Sequence, residues 1–126
     1  MPDLKIGTIV TGIYKTGKYI GEITNIRPQH YLVKVLAVLK HPTQGDLHNP
    51  KETDVPLFHE RRALAFREQT NIPAQMVKPF EGEIPEYMYS LQVALEKQIE
   101  ELHADGSPWA KKCIQNLEGL KQDYRL

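Results

Sequence analysis

Three of the five histidines of this 126-residue chain, His41, His48 and His59, fall within residues 40–68. The same run, KHPTQGDLHNPKETDVPLFHERRALAFRE, carries Asp46, Asp54 and the pair Arg61-Arg62. Imidazoles and carboxylates are donors that suit zinc, manganese or iron. His41, Asp46 and His48 are therefore candidate metal ligands, and His59 and Glu60 could join them if the loop folds back. The spacing H-x-x-x-x-D-x-H matches no familiar metal signature, however. Histidine and aspartate also serve loops through bonds to the backbone. The residues alone therefore favour no bound metal or other cofactor. Arginine's planar fork pairs well with carboxylates, so Arg61 and Arg62 can pin the run to its scaffold through Asp46, Asp54 or Glu60. They can also recognise a partner or a phosphate.

Other chemistry finds less support. Residues 12–18, GIYKTGK, match the G-x-x-x-x-G-K core of a phosphate-binding loop. Tyr19 stands where a magnesium-binding Ser or Thr belongs, and strand-like sequence on both sides offers no helix N-terminus. A hairpin turn is the better reading. The tripeptide Lys15-Thr16-Gly17 also occurs in β-lactam-recognising enzymes, but neither Ser90 nor Ser107 has the lysine three residues on that their nucleophile needs. Cys113 lies on a helical apolar stripe, where a thiol is core filler. The carboxylates form no isolated pair in an apolar setting. No catalytic residue is assigned, and the chain is not expected to be an enzyme.

The elements that must position residues 40–68 are short strands followed by helices. Residues 4–14, 19–27 and 31–39 are rich in β-branched and aromatic residues, with turns at 15–18 and 27–30. In the third strand Tyr31, Val33, Val35, Ala37 and Leu39 alternate onto one core face. Its other face is half apolar, so something should cover it. Residues 40–56 form a loop longer than compact domains usually carry without a function. The alternation of Leu64 and Phe66 predicts a fourth strand over 62–68. A short 3₁₀ turn over 70–76 and a last strand over 77–80 follow. This order predicts an SH3-like small β-barrel of about five antiparallel strands, an analogy of fold alone. From Ile84 the period becomes helical, through Tyr87, Met88, Leu91, Leu95, Ile99 and Leu102. Ala104-Asp105-Gly106 ends this helix and Ser107-Pro108 starts another, with Trp109, Cys113, Leu117 and Leu120 apolar. The fold class is thus β+α: a barrel domain over 1–83 with an inserted loop at 40–56, and a helical hairpin over 84–126 packed on it. An incompletely covered hairpin would also serve as a homodimer surface.

Composition narrows the function classes. Lysine plus arginine equals aspartate plus glutamate, 16 each. Neither half builds the field that non-specific nucleic-acid or anionic-membrane binding requires. A single cysteine fits a reducing compartment. The N-terminal sequence MPDLKIGTIV shows no signal-peptide pattern and no early cysteine for a lipid. No apolar stretch approaches the roughly 20 residues of a membrane span. A cytoplasmic protein, without direct membrane insertion, is expected.

Long stretches carry a resemblance. VTGIYKTGKYIGEI, YLVKVLAVLKHPTQGDLHNP, VPLFHERRALAFREQTNIP and EGEIP closely resemble the kinase-associated protein B family of spore-forming bacteria. The likeness covers nearly the whole chain. It implies a small protein of the sporulation phosphorelay, a two-component signalling pathway, acting with one membrane sensor histidine kinase. It also implies an SH3-like barrel followed by helices. It brings no catalytic residues. Some members are described as lipoproteins, a feature for which this sequence lacks the N-terminal lipobox cysteine.

The expectation is therefore a non-enzymatic regulatory or adaptor protein without a cofactor. It would reach the membrane only through its partner, a membrane sensor histidine kinase or another phosphorelay protein. His41, Asp46, His48, His59, Arg61 and Arg62 are the expected contact residues, because fold explains them least. The rival readings are a metal-dependent enzyme built on His41, Asp46, His48 and His59, and an RNA-binding small-barrel module.

Overall fold

The computed structural model describes residues 4–45, 51 and 58–126. Most of the long loop, Asp46 and His48 included, lies outside them. Five strands form one antiparallel sheet: β1 Ile9–Tyr14, β2 Gly17–Ile26, β3 His30–Lys40, β4 Gln69–Pro73 and β5 Val77–Pro79. Their order is β4-β3-β2-β1-β5. The two edge strands are joined only by a 3₁₀ turn, Ala74–Met76, so the sheet must curl until its edges lie one turn apart. Gly12 of β1 accordingly faces β4: a Cβ there would stand 2.7 Å from the Ile72 side chain. The sequence expectation of five antiparallel strands followed by two helices holds.

The fourth strand is not where alternation put it. Residues 61–65 run without strand pairing, and the ladder begins only at Gln69. The reason lies in hydrogen bonding. Ala63 and Leu64 donate their amides to tyrosine hydroxyls, not to a neighbouring strand. Backbone bonds between Val35 and residues 67 and 68 then lead the chain into β4. Residues expected in a 3₁₀ turn from Thr70 on are largely strand, and the turn itself is confined to Ala74–Met76.

Bulges modify the face assignment on β3. The β2–β3 register shifts between Ile20 and Gly21 and again between Lys18 and Tyr19. Each inserted residue breaks the simple alternation of side chains. Val33, Val35 and Ala37 are buried as the pattern requires, but then Val38 is buried and Leu39 is exposed. One cluster, Val10, Ile23, Val33, Ile72 and Val77, fills the curl of the sheet.

Two helices cover the rest. α1 spans Tyr87–Asp105 and α2 spans Pro108–Asp123. The Glu86 carboxylate accepts the Met88 and Tyr89 amides, and Gly106 closes the helix at φ 69°. Ser107 Oγ accepts from the Ala110 amide at 3.1 Å, with Pro108 in the first turn of α2. The first helix starts later than its apolar stripe, leaving Ile84 outside it and exposed, and Met88 in its first turn is exposed as well. Leu91 and Ala94 pack on Tyr19, Val35 and Val38; of the half-apolar face expected to need cover only Val38 is among these, and Leu36 lines an open recess. Leu95 and Leu102 meet Cys113, Leu117 and Leu120 between the helices.

Candidate functional site

Residues 41–45 and 58–65 form the base from which the loop departs. Gln44, only 2 % exposed, uses its side-chain amide as a strand would use its backbone. Its Nε2 donates to the Arg61 carbonyl at 2.9 Å, and its Oε1 accepts the Arg61 amide at 2.9 Å. The Gly45 amide donates to the His59 carbonyl at 2.9 Å. Gly45 sits at φ +96°, and a side chain there would press on the Phe58 ring, so glycine suits the position twice over. Beyond this clamp, three tyrosines hold the following strap. Tyr124 Oη accepts from the Ala63 amide at 2.9 Å, Tyr19 Oη accepts from the Leu64 amide at 3.2 Å, and Tyr87 Oη donates to the Leu64 carbonyl at 2.5 Å.

His41 is part of this frame. It is completely buried, with Nδ1 3.1 Å from the Pro42 carbonyl and Nε2 3.0 Å from Tyr124 Oη. A carbonyl only accepts, so Nδ1 carries the proton. Tyr124, which accepts from Ala63, donates to Nε2. Both ring nitrogens are thus used and no ring edge reaches solvent. His41 is neither a metal ligand nor a partner contact; its role is to tie the loop base to the end of α2. Asp46 and His48 lie outside the described residues. Among the described residues, no three of His, Cys, Asp and Glu gather as a metal cluster. His59 is exposed and joins the frame through its carbonyl.

Burial also holds the His41 pKa below the usual 6.5, against the opposing pull of the Pro42 carbonyl and the Gln98 side chain. The unfolded chain therefore takes up a proton that the folded chain resists. The stability that His41 contributes is fully present above about pH 6.5 and drains away as pH falls below it. Urea midpoints should drop between pH 7 and pH 5, with a slope of up to about 1.4 kcal/mol per pH unit. His41→Gln should flatten that slope. An unchanged slope in the variant would show that the imidazole is not the titrating group.

Arg61 and Arg62 follow the clamp and line a cleft of about 240 Å³ with Tyr14, Lys15, Tyr19, Pro42 and Leu64. The β1–β2 turn supplies Lys15, held at φ 55°. That turn is fastened to the loop base by the Thr43 amide, which donates to Thr16 Oγ1 at 2.8 Å. Arg61 Nη1 donates to the Gly45 carbonyl. Arg62 pairs with Asp123 at 2.5 Å and Glu60 at 3.9 Å, both exposed contacts of small energetic weight. Lys15 lies 5.4 Å from the centre of the Tyr14 ring. The sequence thus pointed to Arg61 and Arg62 but missed Lys15, Tyr14 and Tyr19. The GIYKTGK run was visible, but its approach to Arg61 is a long-range fact that no local pattern contains.

Cys113 is 1 % exposed, and burial pushes its thiol up to about 11, so it is no nucleophile at neutral pH. A larger recess of about 510 Å³ is lined by Leu36, Phe66, Ile84, Pro85, Tyr87 and Met88, with Glu86 its one charged residue. No helix among the described residues is long and apolar enough to cross a membrane.

Comparison with known proteins adds identity. A family profile described as "Kinase associated protein B" matches residues 14–125. "Kinase-associated lipoprotein B" of Bacillus subtilis (strain 168) is 60% identical over 124 residues, which are 98% of this chain and 97% of that protein. The X-ray crystal structure of kinase-associated protein B from Bacillus cereus superposes with a TM-score of 0.87 at 60% identity, covering 98% of this chain and 100% of the other. The cleft, its clamp and the helices behind it all lie within the matched residues, and the chain belongs to the kinase-associated protein B family.

Proposed function

We propose that this protein is a non-enzymatic adaptor of the sporulation phosphorelay. It binds a membrane sensor histidine kinase, or another protein of the same relay, through the Arg61–Arg62 cleft. The observation that carries the reading is 60% identity, along nearly the full chain, to a protein named for its association with a kinase. The cleft adds a mechanism. Arginines at a protein surface recognise planar or tetrahedral anions through directed pairs of bonds. The clamp beneath Arg61 fixes its backbone before any partner arrives, which lowers the ordering cost of association. On this reading the protein works in the cytoplasm and reaches the membrane through its partner.

The test is co-purification from cells entering sporulation. The double variant Arg61→Gln, Arg62→Gln should recover at least about tenfold less kinase than the parent, since truncating a charge at an interface commonly costs more than 1.4 kcal/mol. Its fold should be retained, because the backbone bonds to Gln44 do not involve the guanidinium. Undiminished kinase recovery by the folded double variant would reject the cleft as the docking site. Absence of any kinase or relay protein from the parent's own pull-down would reject the adaptor reading.

A further inference from the structure

We propose that the cleft lined by Lys15, Arg61 and Arg62 receives a phosphoryl group borne on a side chain of the partner protein. Three cations line the cleft, and only Arg62 is matched by carboxylates. Arg61 bonds the neutral carbonyl of Gly45, and Lys15 rests over the Tyr14 ring. Among the described residues neither makes an ion pair. Two positive charges without an ion-pair partner among the described residues therefore share one small cleft, in a protein whose formal net charge is zero. A carboxylate would neutralise one of them. A phosphoryl group carries about −1.5 to −2 near neutral pH and three acceptor oxygens, which matches both.

The wall supplies a neutral donor as well. Tyr19 is 1 % exposed, and its hydroxyl accepts from the Leu64 amide. Its own hydrogen has no acceptor among the hydrogen bonds of the described residues. Burial, opposed by the Leu64 bond, raises the phenol to about 12, so that hydrogen stays in place. A buried donor without an acceptor is costly unless something comes to meet it. An oxyanion in the cleft would.

Position and size restrict the ligand further. The Thr43–Thr16 bond and the Gln44–Arg61 pair fix the two segments that bring Lys15 and Arg61 together. The cations are thus set by backbone geometry, as anion recognition requires. At about 240 Å³ the cleft is below the roughly 300–1,000 Å³ of small-molecule pockets. It suits a single oxyanion with the first atoms of the side chain that carries it. The GIYKTGK turn, which fails as a nucleotide loop, serves here by delivering one lysine.

This inference rests on the cleft being the docking site proposed above, yet it can fail separately, because its test needs only the isolated chain. The full-length protein, ¹⁵N-labelled, is titrated at constant ionic strength with inorganic phosphate, acetate, a phosphoserine peptide and the same peptide unphosphorylated. The amides of residues 15–17 and 61–64 should shift saturably with the phosphopeptide, at least about tenfold more tightly than with phosphate alone and not with acetate. Affinity should rise with pH through about 6, as the second phosphate proton leaves. Lys15→Asn should weaken binding about tenfold without lowering the melting temperature, since asparagine accepts a positive φ, and Lys15→Arg should restore it. Equal shifts with acetate, or binding indifferent to Lys15→Asn, would overturn the proposal. Binding of inorganic phosphate but not of the phosphopeptide would overturn the protein-borne source. Kinase recovery that persists when anion binding is absent would leave the adaptor reading standing alone.

Discussion

Tyr124→Phe should destabilise the protein by about 2–3 kcal/mol, although it removes a single oxygen. That oxygen serves two partners. It donates to His41 Nε2 at 3.0 Å and accepts from the Ala63 amide at 2.9 Å. Without it, a fully buried imidazole nitrogen loses its donor and a half-buried amide loses its acceptor. Each orphaned group costs roughly 1–3 kcal/mol, less where water can enter. The aromatic ring still packs, so the change isolates the hydrogen bonds from the apolar burial. Urea denaturation gives the size of the loss, and hydrogen exchange at the Ala63 amide shows where it falls. Faster exchange there than at the β2–β3 ladder is the expected pattern. A variant that unfolds at the parent's urea midpoint would mean that the strap is held by packing alone.

Leu95→Ala is expected to cost more, about 3–4 kcal/mol, the middle of the range for emptying a leucine site in a packed core. Leu95 is fully buried in α1 and shares a cluster with Leu102, Ala110, Cys113, Leu117 and Leu120. The next residues toward the helix start, Leu91 and Ala94, pack on the sheet. Loss at Leu95 therefore weakens the hairpin beside the contact that joins it to the strands. Helical circular dichroism and tyrosine fluorescence should report one shared transition at a lower urea concentration. Two separated transitions would show that the hairpin and the sheet unfold independently.

Strand and helix identity was legible where pattern and physics coincide. Ser107-Pro108 announced α2, Gly106 announced the end of α1, and the apolar third strand announced the centre of the sheet. The fourth strand was misread because Leu64 and Phe66 alternate as strand residues do, while the backbone of Ala63 and Leu64 bonds to hydroxyls from three distant parts of the chain. No local window contains Tyr19, Tyr87 and Tyr124 together. The exposure of Leu39 was hidden for a related reason: a bulge is a property of two strands, and only one was being read. His41 looked functional because a buried histidine and a ligand histidine are the same letter. Its partner Tyr124 lies 83 residues away. Arg61 and Arg62 stood out as unexplained charge, whereas Lys15, which lines the same cleft, looked like part of an ordinary turn.

The tyrosine clamp also fixes an order of events during synthesis. Ala63 is made 61 residues before the Tyr124 hydroxyl that accepts its amide. All five strands, ending at Pro79, precede both helices on the ribosome. A nascent chain can therefore pair its strands and close the Gln44–Arg61 clamp early, yet the Ala63 amide and the Arg62 guanidinium wait for Tyr124 and Asp123 at the end of α2. Arg62 cannot take its final posture before Asp123 is made, so an incomplete chain would carry the charges of the cleft without its finished shape.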